Sequence, residues 1–156
     1  MPTSSDLPAD RLAVGQLLVH LLRQFRMELF AFARDSAYAD IRVAHLQVFG
    51  NIYGGARLTE LAGRAQLSLA ATSELVNDLE RLGYLERRPD PGDGRAKLIV
   101  ATERGRAALA EAGDRVAEIE EHWSQLIGPS RFSAACRALQ DLLDTLGDDQ
   151  PQGDTR

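Results

Sequence analysis

The sequence predicts a mostly α-helical chain carrying one small β-hairpin, and three observations predict it. Apolar residues recur at helical spacing through most of the chain. One stretch departs from that period: Tyr84-Leu85 and Leu98-Ile99-Val100 have strand character and are separated by Pro89-Asp90-Pro91-Gly92-Asp93-Gly94, almost pure turn chemistry. Basic residues bracket the turn, Arg87 and Arg88 before it and Arg95 and Lys97 after it. A helix followed by a β-hairpin with basic residues near its tip is the plan of a winged helix, a DNA-reading module.

The elements follow in order. Residues 1–9 read as a loose arm, and 10–34 as an N-terminal helix capped by Asp10 and running from about Arg11 to Ala33. Its wide apolar stripe is Val14, Leu17, Leu18, Leu21, Leu22, Phe25, Leu29 and Phe32. A winged helix-turn-helix is expected over 40–102. Its first helix spans about Ile41 to Ile52, with Val43, Leu46, Phe49 and Ile52 inward. A short helix over Leu58 to Ala65 and a turn at Gln66-Leu67 lead to a helix capped by Ser68 and closed by Gly83. Thr72, Leu75, Val76, Leu79 and Leu82 form the buried face of that helix. Residues 103–147 supply two further helices. Thr102 is a plausible cap for the first, and Leu109, Ala112, Val116, Ile119, Trp123 and Leu126 follow a heptad seam. Gly128-Pro129 breaks it, Ser130 caps the last helix, and the apolar side there is Phe132, Ala135, Cys136, Leu139, Leu142, Leu143 and Leu146. Residues 148–156 read as a disordered acidic tail. Three amphipathic helices exceed what a small winged helix can cover, so mutual burial with a second copy is expected.

Composition narrows the class. The 156 residues suit one domain or compact subunit, and a hydrophobic share of 44% suits a packed core. No run of about 18 apolar residues is present, and the polar, acidic start lacks a signal peptide's basic region, so a cytoplasmic protein without a membrane span is expected. A single cysteine, Cys136, excludes an intrachain disulfide and reads as an inert core thiol. Net charge is −5, yet the window from Arg57 to Lys97 holds seven basic and seven acidic residues, so the rest of the chain carries the whole excess.

The central residues resemble the MarR family of bacterial transcription regulators. Glu60-Leu61-Ala62 running to Leu67-Ser68 is similar to the family's helix-turn-helix. Leu75-Val76 and Leu79-Glu80-Arg81-Leu82-Gly83-Tyr84-Leu85-Glu86-Arg87 are similar to its recognition helix and first strand. Asp90-Pro91-Gly92-Asp93-Gly94-Arg95-Ala96-Lys97, with Thr102 and Gly105, is similar to its wing. The resemblance implies a homodimer joined through its terminal helices, a roughly palindromic operator in double-stranded DNA, repression, and release by a small, often aromatic ligand. Some members sense oxidants through a cysteine near the N-terminus, whereas Cys136 lies near the other end. Four positions depart from the family pattern. Glu74 and Asp78 are acidic where basic residues are common, Arg57 replaces a Ser or Thr cap, and Gly94 stands where the wing is often basic.

On this plan Ser68, Ala70, Ala71, Ser73, Glu74 and Asn77 lie on the outer side of the recognition helix. An alanine there could touch a thymine methyl, Glu74 could accept from a cytosine amino group, and Asn77 could bind adenine. Arg57, Arg87, Arg88 and Lys97 are candidate phosphate contacts. Arg95 is the candidate for minor-groove entry, with Asp93 orienting it by a charge-assisted hydrogen bond. Phe25, Tyr38, His45 and Phe49 are the candidates for an effector pocket. His20, His45 and His122 lack ligand spacing, so no metal and no cofactor are expected. No nucleophile–base pair or phosphate loop marks an enzyme. The competing reading is a winged-helix protein-interaction module with weak or no DNA binding, supported by the acidic positions and the net charge. Arg95→Ala is expected to weaken operator binding at least about tenfold in a gel-shift titration, through loss of its minor-groove contact, with the thermal unfolding curve unchanged.

Overall fold

A computed structural model of the chain describes residues 10–31 and 36–148. The elements are α1 (Val14–Ala31), α2 (Val43–Phe49), α3 (Leu58–Ala65), α4 (Leu69–Arg81), β1 (Leu85–Asp90), β2 (Asp93–Ala101), α5 (Glu103–Ile127) and α6 (Pro129–Asp148). The contacts divide the chain after Arg115 into two compact units. The mostly helical architecture with a two-stranded antiparallel wing is the expected one.

In the first unit the core joins α2, α3, α4, the base of the wing and the start of α5. Its buried side chains are Val48, Phe49, Ile52, Ala56, Leu61, Val76, Leu79, Tyr84, Leu85, Ile99 and Ala108. The period-3.6 stripe of α4 lands as expected, with Thr72, Val76 and Leu79 fully buried and Leu75 and Leu82 half-buried. Thr72 satisfies its buried hydroxyl by donating to the Ser68 carbonyl at 2.8 Å. Ser68 caps α4 by accepting from the Ala71 N–H at 3.1 Å. At the other end Leu82 is the C-cap and Gly83 takes a φ of 84°. Gly83 N–H donates to Glu80 O at 3.0 Å and Tyr84 N–H to Leu79 O at 2.8 Å, which is the paired bonding of a Schellman motif.

That motif opens directly onto the wing, whose two ends are joined by one hydroxyl. Thr102 Oγ1 donates to Gly83 O at 2.6 Å and accepts from Gly105 N–H at 3.0 Å, so it caps α5 as predicted and also fastens the wing's exit to its entry. Thr102 N–H adds a bond to Tyr84 O at 3.0 Å. The first turn of α5 lies hard against that carbonyl: a Cβ built on Gly105 would stand 2.0 Å from Tyr84 O. Ladder pairing runs from Leu85↔Ala101 to Pro89↔Lys97, and the next pair, Asp90↔Asp93, passes over Gly94, Arg95 and Ala96. These residues bulge from the ribbon between two paired positions. A single isolated bridge pairs Ala56 with Ile99, so the segment before α3 is bonded to the wing's base.

Several local expectations are corrected. Helix α1 begins at Val14, four residues past Asp10; Gln16 Oε1 instead accepts from the Ala13 N–H at 3.2 Å, satisfying a first-turn donor from within. Helix α2 is shorter than predicted because Arg42 is extended and the chain turns at Gly50. Val43 is exposed there, while His45 and Val48 are buried. Helix α6 starts at Pro129, placing Ser130 inside it, because proline suits a first helical position. In the second unit Ile119 is buried and Trp123 and Phe132 are half-buried, but Leu139, Leu142, Leu143 and Leu146 are exposed. Cys136, expected as a core thiol, is exposed with them because the stripe it shares is uncovered in the single chain. The N-terminal arm, Phe32 and the end of the acidic tail lie outside the described residues. Gly105→Ala is expected to cost about 1–3 kcal/mol, since no nearby side chain can yield to relieve a clash with backbone; thermal unfolding of the two proteins checks this.

Candidate nucleic-acid interface

Helix α4 and the tip of the wing carry the candidate surface. Ala70, Glu74 and Asn77 are exposed on α4, Ala71 and Ser73 are half-buried, and Ser68 is exposed at the cap. Leu69, which sequence reasoning passed over, is also exposed at the first turn. Apart from Leu69 the exposed residues there are small or polar, with one carboxylate and one carboxamide a turn apart.

The cations are distributed differently from the expectation. Arg57, Arg87 and Arg88 are engaged within the protein. Arg57 Nε donates to Asp90 Oδ2 at 2.7 Å, tying the start of α3 to the wing tip. Arg87 forms an ion pair with Glu80 and donates to Asn77 Oδ1 at 2.9 Å. Arg88 pairs with its neighbour Glu86 and stays well exposed. Each is partly neutralised, which reduces what it can offer a phosphate. Arg95 and Lys97 are exposed, and neither side-chain cation has an ion pair or hydrogen bond among the described residues. Asp93 Oδ1 accepts from the backbone N–H of Arg95 at 3.1 Å rather than from its guanidinium. The aspartate thus shapes the bulge and leaves the arginine's five donors outward.

Asp90 is the hinge of this tip. Its Oδ1 accepts from Gly92 N–H at 2.8 Å, the local bond that makes Asp a turn former. Its Oδ2 holds Arg57. The Gly92 N–H first, then the Arg57 guanidinium, hold the Asp90 carboxyl below its ordinary value. Asp78 also works structurally. It pairs with Arg42 of the α2 cap at 2.7 Å and with Arg81, and lies 3.5 Å from His45 Nε2. His45 Nδ1 accepts from Arg42 N–H at 3.1 Å. An acidic residue that reads as a misfit on a DNA-binding helix therefore joins α2 to α4.

Two of the four candidate effector residues share one ring: Tyr38 and Phe49 pack on Tyr84, with centroids 6.1 Å and 5.7 Å away. His45 and Phe49 are fully buried core, and Phe25 is half-buried on α1. A shallow hollow on α1 is lined by Leu17, His20, Leu21, Arg23, Gln24 and Met27 and includes none of the four. Sequence reasoning missed a polar cluster beside Tyr84. The Tyr84 hydroxyl donates to Asp40, and Arg104 reaches that hydroxyl at 2.9 Å, Asp40 at 3.2 Å and the face of the ring at 4.6 Å. Burial, with the bond to Asp40, pushes the Tyr84 hydroxyl above its ordinary value and keeps it a neutral donor. Among the described residues no helix is long and apolar enough to cross a membrane, and no group of His, Cys, Asp and Glu could hold a metal ion.

An exposed, cap-started helix beside a hairpin with outward cations defines a winged helix-turn-helix protein. Residues 39–96 match the model of the MarR family, and the solved structures that resemble the chain include transcriptional regulators. Wild-type apo MarR from E. coli is 20% identical, with a TM-score of 0.68 over 85% of this chain and 98% of that one. Streptococcus pneumoniae FabT in complex with DNA is 18% identical, with a TM-score of 0.73 over 88% and 97%. Bordetella bronchiseptica BpsR, whose DNA binding is regulated by 6-hydroxynicotinic acid, is 20% identical, with a TM-score of 0.68 over 89% and 98%. No curated protein matches the chain in sequence.

A depressed carboxyl stabilises the fold above its unfolded-state value and loses that contribution as pH falls through its folded value. Asp90→Asn keeps the acceptor for Gly92 but removes the charge facing Arg57. The variant is expected to melt below wild type at neutral pH, with the gap closing as pH drops below the ordinary 3.8; parallel melts across pH check the sign.

Proposed function

We propose that the chain is a homodimeric, DNA-binding transcription regulator that represses from a palindromic operator and is released by a small aromatic ligand. The observation that carries this reading is the pairing of an exposed, small-residue face on α4 with two exposed cations at the wing, Arg95 and Lys97, that have no ion pair among the described residues. The helix would enter the major groove while the Arg95 bulge follows the adjacent minor groove. Dimerisation is supported by the apolar side chains left exposed on α1 and α6 (Leu18, Leu21 and Leu22; Leu139, Leu142 and Leu146). Two such half-sites on a two-fold axis match a palindrome. The likeness to FabT in complex with DNA supports the partner, and the likeness to BpsR supports release by an aromatic acid. No catalytic activity is assigned, and the cytoplasm is where such a regulator would act.

The second reading, a protein-interaction module, rests on the acidic Glu74 and on the internal use of Arg57, Arg87 and Arg88. Salt separates the two. Fluorescence anisotropy on duplex DNA is expected to give a log–log salt dependence with a slope of about −0.9 for each phosphate neutralised. Absence of salt-sensitive duplex binding would favour the interaction module.

A further inference from the structure

The carboxamide of Asn77 is held in one orientation, and that orientation has a consequence for the bases it can read. Arg87 Nη2 lies 2.9 Å from Asn77 Oδ1. A guanidinium has donors only, so the atom facing it must be the amide oxygen and not the amide nitrogen. The guanidinium is itself fixed by its ion pair with Glu80, one helical turn inward on α4. Arg87 is only 27% exposed, so the three side chains form a braced row from α4 to β1. Asn77 is exposed, and with Oδ1 engaged by Arg87 its NH2 group has no partner among the described residues.

We infer that Arg87 positions Asn77 to read a base by donation through its NH2 group, so that each half-site carries a guanine, not an adenine, opposite Asn77. This rests on the proposed DNA-binding function and names the base chemistry of its target. Adenine pairs with asparagine by giving N6–H to the amide oxygen while N7 accepts from the amide nitrogen. Holding the oxygen on Arg87 uses one of its two lone pairs and fixes the plane of the carboxamide, which weakens the first of these bonds. Guanine offers two acceptors, N7 and O6, and suits an NH2 group with two hydrogens. Arg87 is here a positioning residue and Asn77 the specificity-determining one. Glu74, a turn earlier and exposed, offers acceptors only, so the two side chains read opposite functional groups.

Selection of bound sequences from random duplexes tests this with the full chain and three variants. Wild type is expected to enrich guanine at one position per half-site, with at least about fivefold preference over adenine. Asn77→Asp keeps an oxygen for Arg87 but replaces the donors, and is expected to move the preference there to a base with an exocyclic amine, cytosine or adenine. Arg87→Met releases the carboxamide and is expected to shift guanine toward adenine at the same position. Should the aspartate variant fail to fold, Asn77→Ala, at an exposed site, must lose the preference at that position alone. A brace with no part in reading predicts unchanged base preference in the Asn77 variants, and that result, or adenine enriched by wild type, overturns the inference while leaving DNA binding in place. Failure of wild type to bind any duplex with salt sensitivity overturns the proposed function, and this inference with it.

Discussion

Everything in the first unit depends on the close approach between the backbone of Gly105 and the carbonyl of Tyr84. Helix α4 ends, the wing begins, the wing returns and α5 starts within a few residues of that contact. Thr102 can cap α5 and reach the Gly83 carbonyl only because nothing larger than hydrogen stands on Gly105. Helix α4 and the hairpin are thereby fastened at one corner, and the ring of Tyr84, under Tyr38 and Phe49, fills the space behind it. At its base the wing is thus placed relative to α4 by backbone bonds and one buried ring.

Charge instead sets which groups remain for a ligand. An arginine paired with a carboxylate already has a protein partner for part of its charge and gains less from a phosphate. On the candidate surface Arg57, Arg87 and Arg88 are of this kind, and they serve to hold the tip, to orient Asn77 and to pair along β1. Arg95 and Lys97 stand apart from them. A near-neutral window can therefore still present a locally positive edge, which the overall charge of −5 conceals.

Much of this was legible in the sequence. The period of α4, its Ser68 cap and Gly83 stop, and the Thr102 cap of α5 each follow from local rules that tertiary contacts reinforce. The turn-rich run 89–94 correctly marked the hairpin, but strand β1 reached Asp90 because Pro89 can sit in a two-stranded ribbon that has no neighbour on its free edge. What sequence could not supply was the partner of each charge. Arg57 and Asp90 are 33 residues apart, and Tyr84 and Asp40 are 44 apart. No periodicity links such pairs. The same limit explains why Asp78 read as an ill-suited recognition residue and proved to be a brace to Arg42. His45 and Phe49, singled out as pocket candidates for their chemistry, are core because α2 turns that face inward.

The wing is held at two separate places, the Ala56↔Ile99 bridge near its base and the Arg57–Asp90 pair near its tip, both from the segment that opens α3. A ribbon anchored once would swing as a lever, and a ligand would have to arrest that swing on binding. Anchored twice, the ribbon has its freedom removed when the chain folds. The entropy of placing the bulge with Arg95 is then incurred largely in folding and little of it in recognition. The tip behaves as a preset spacing between helix and hairpin, closer to a fixed caliper than to a flexible arm.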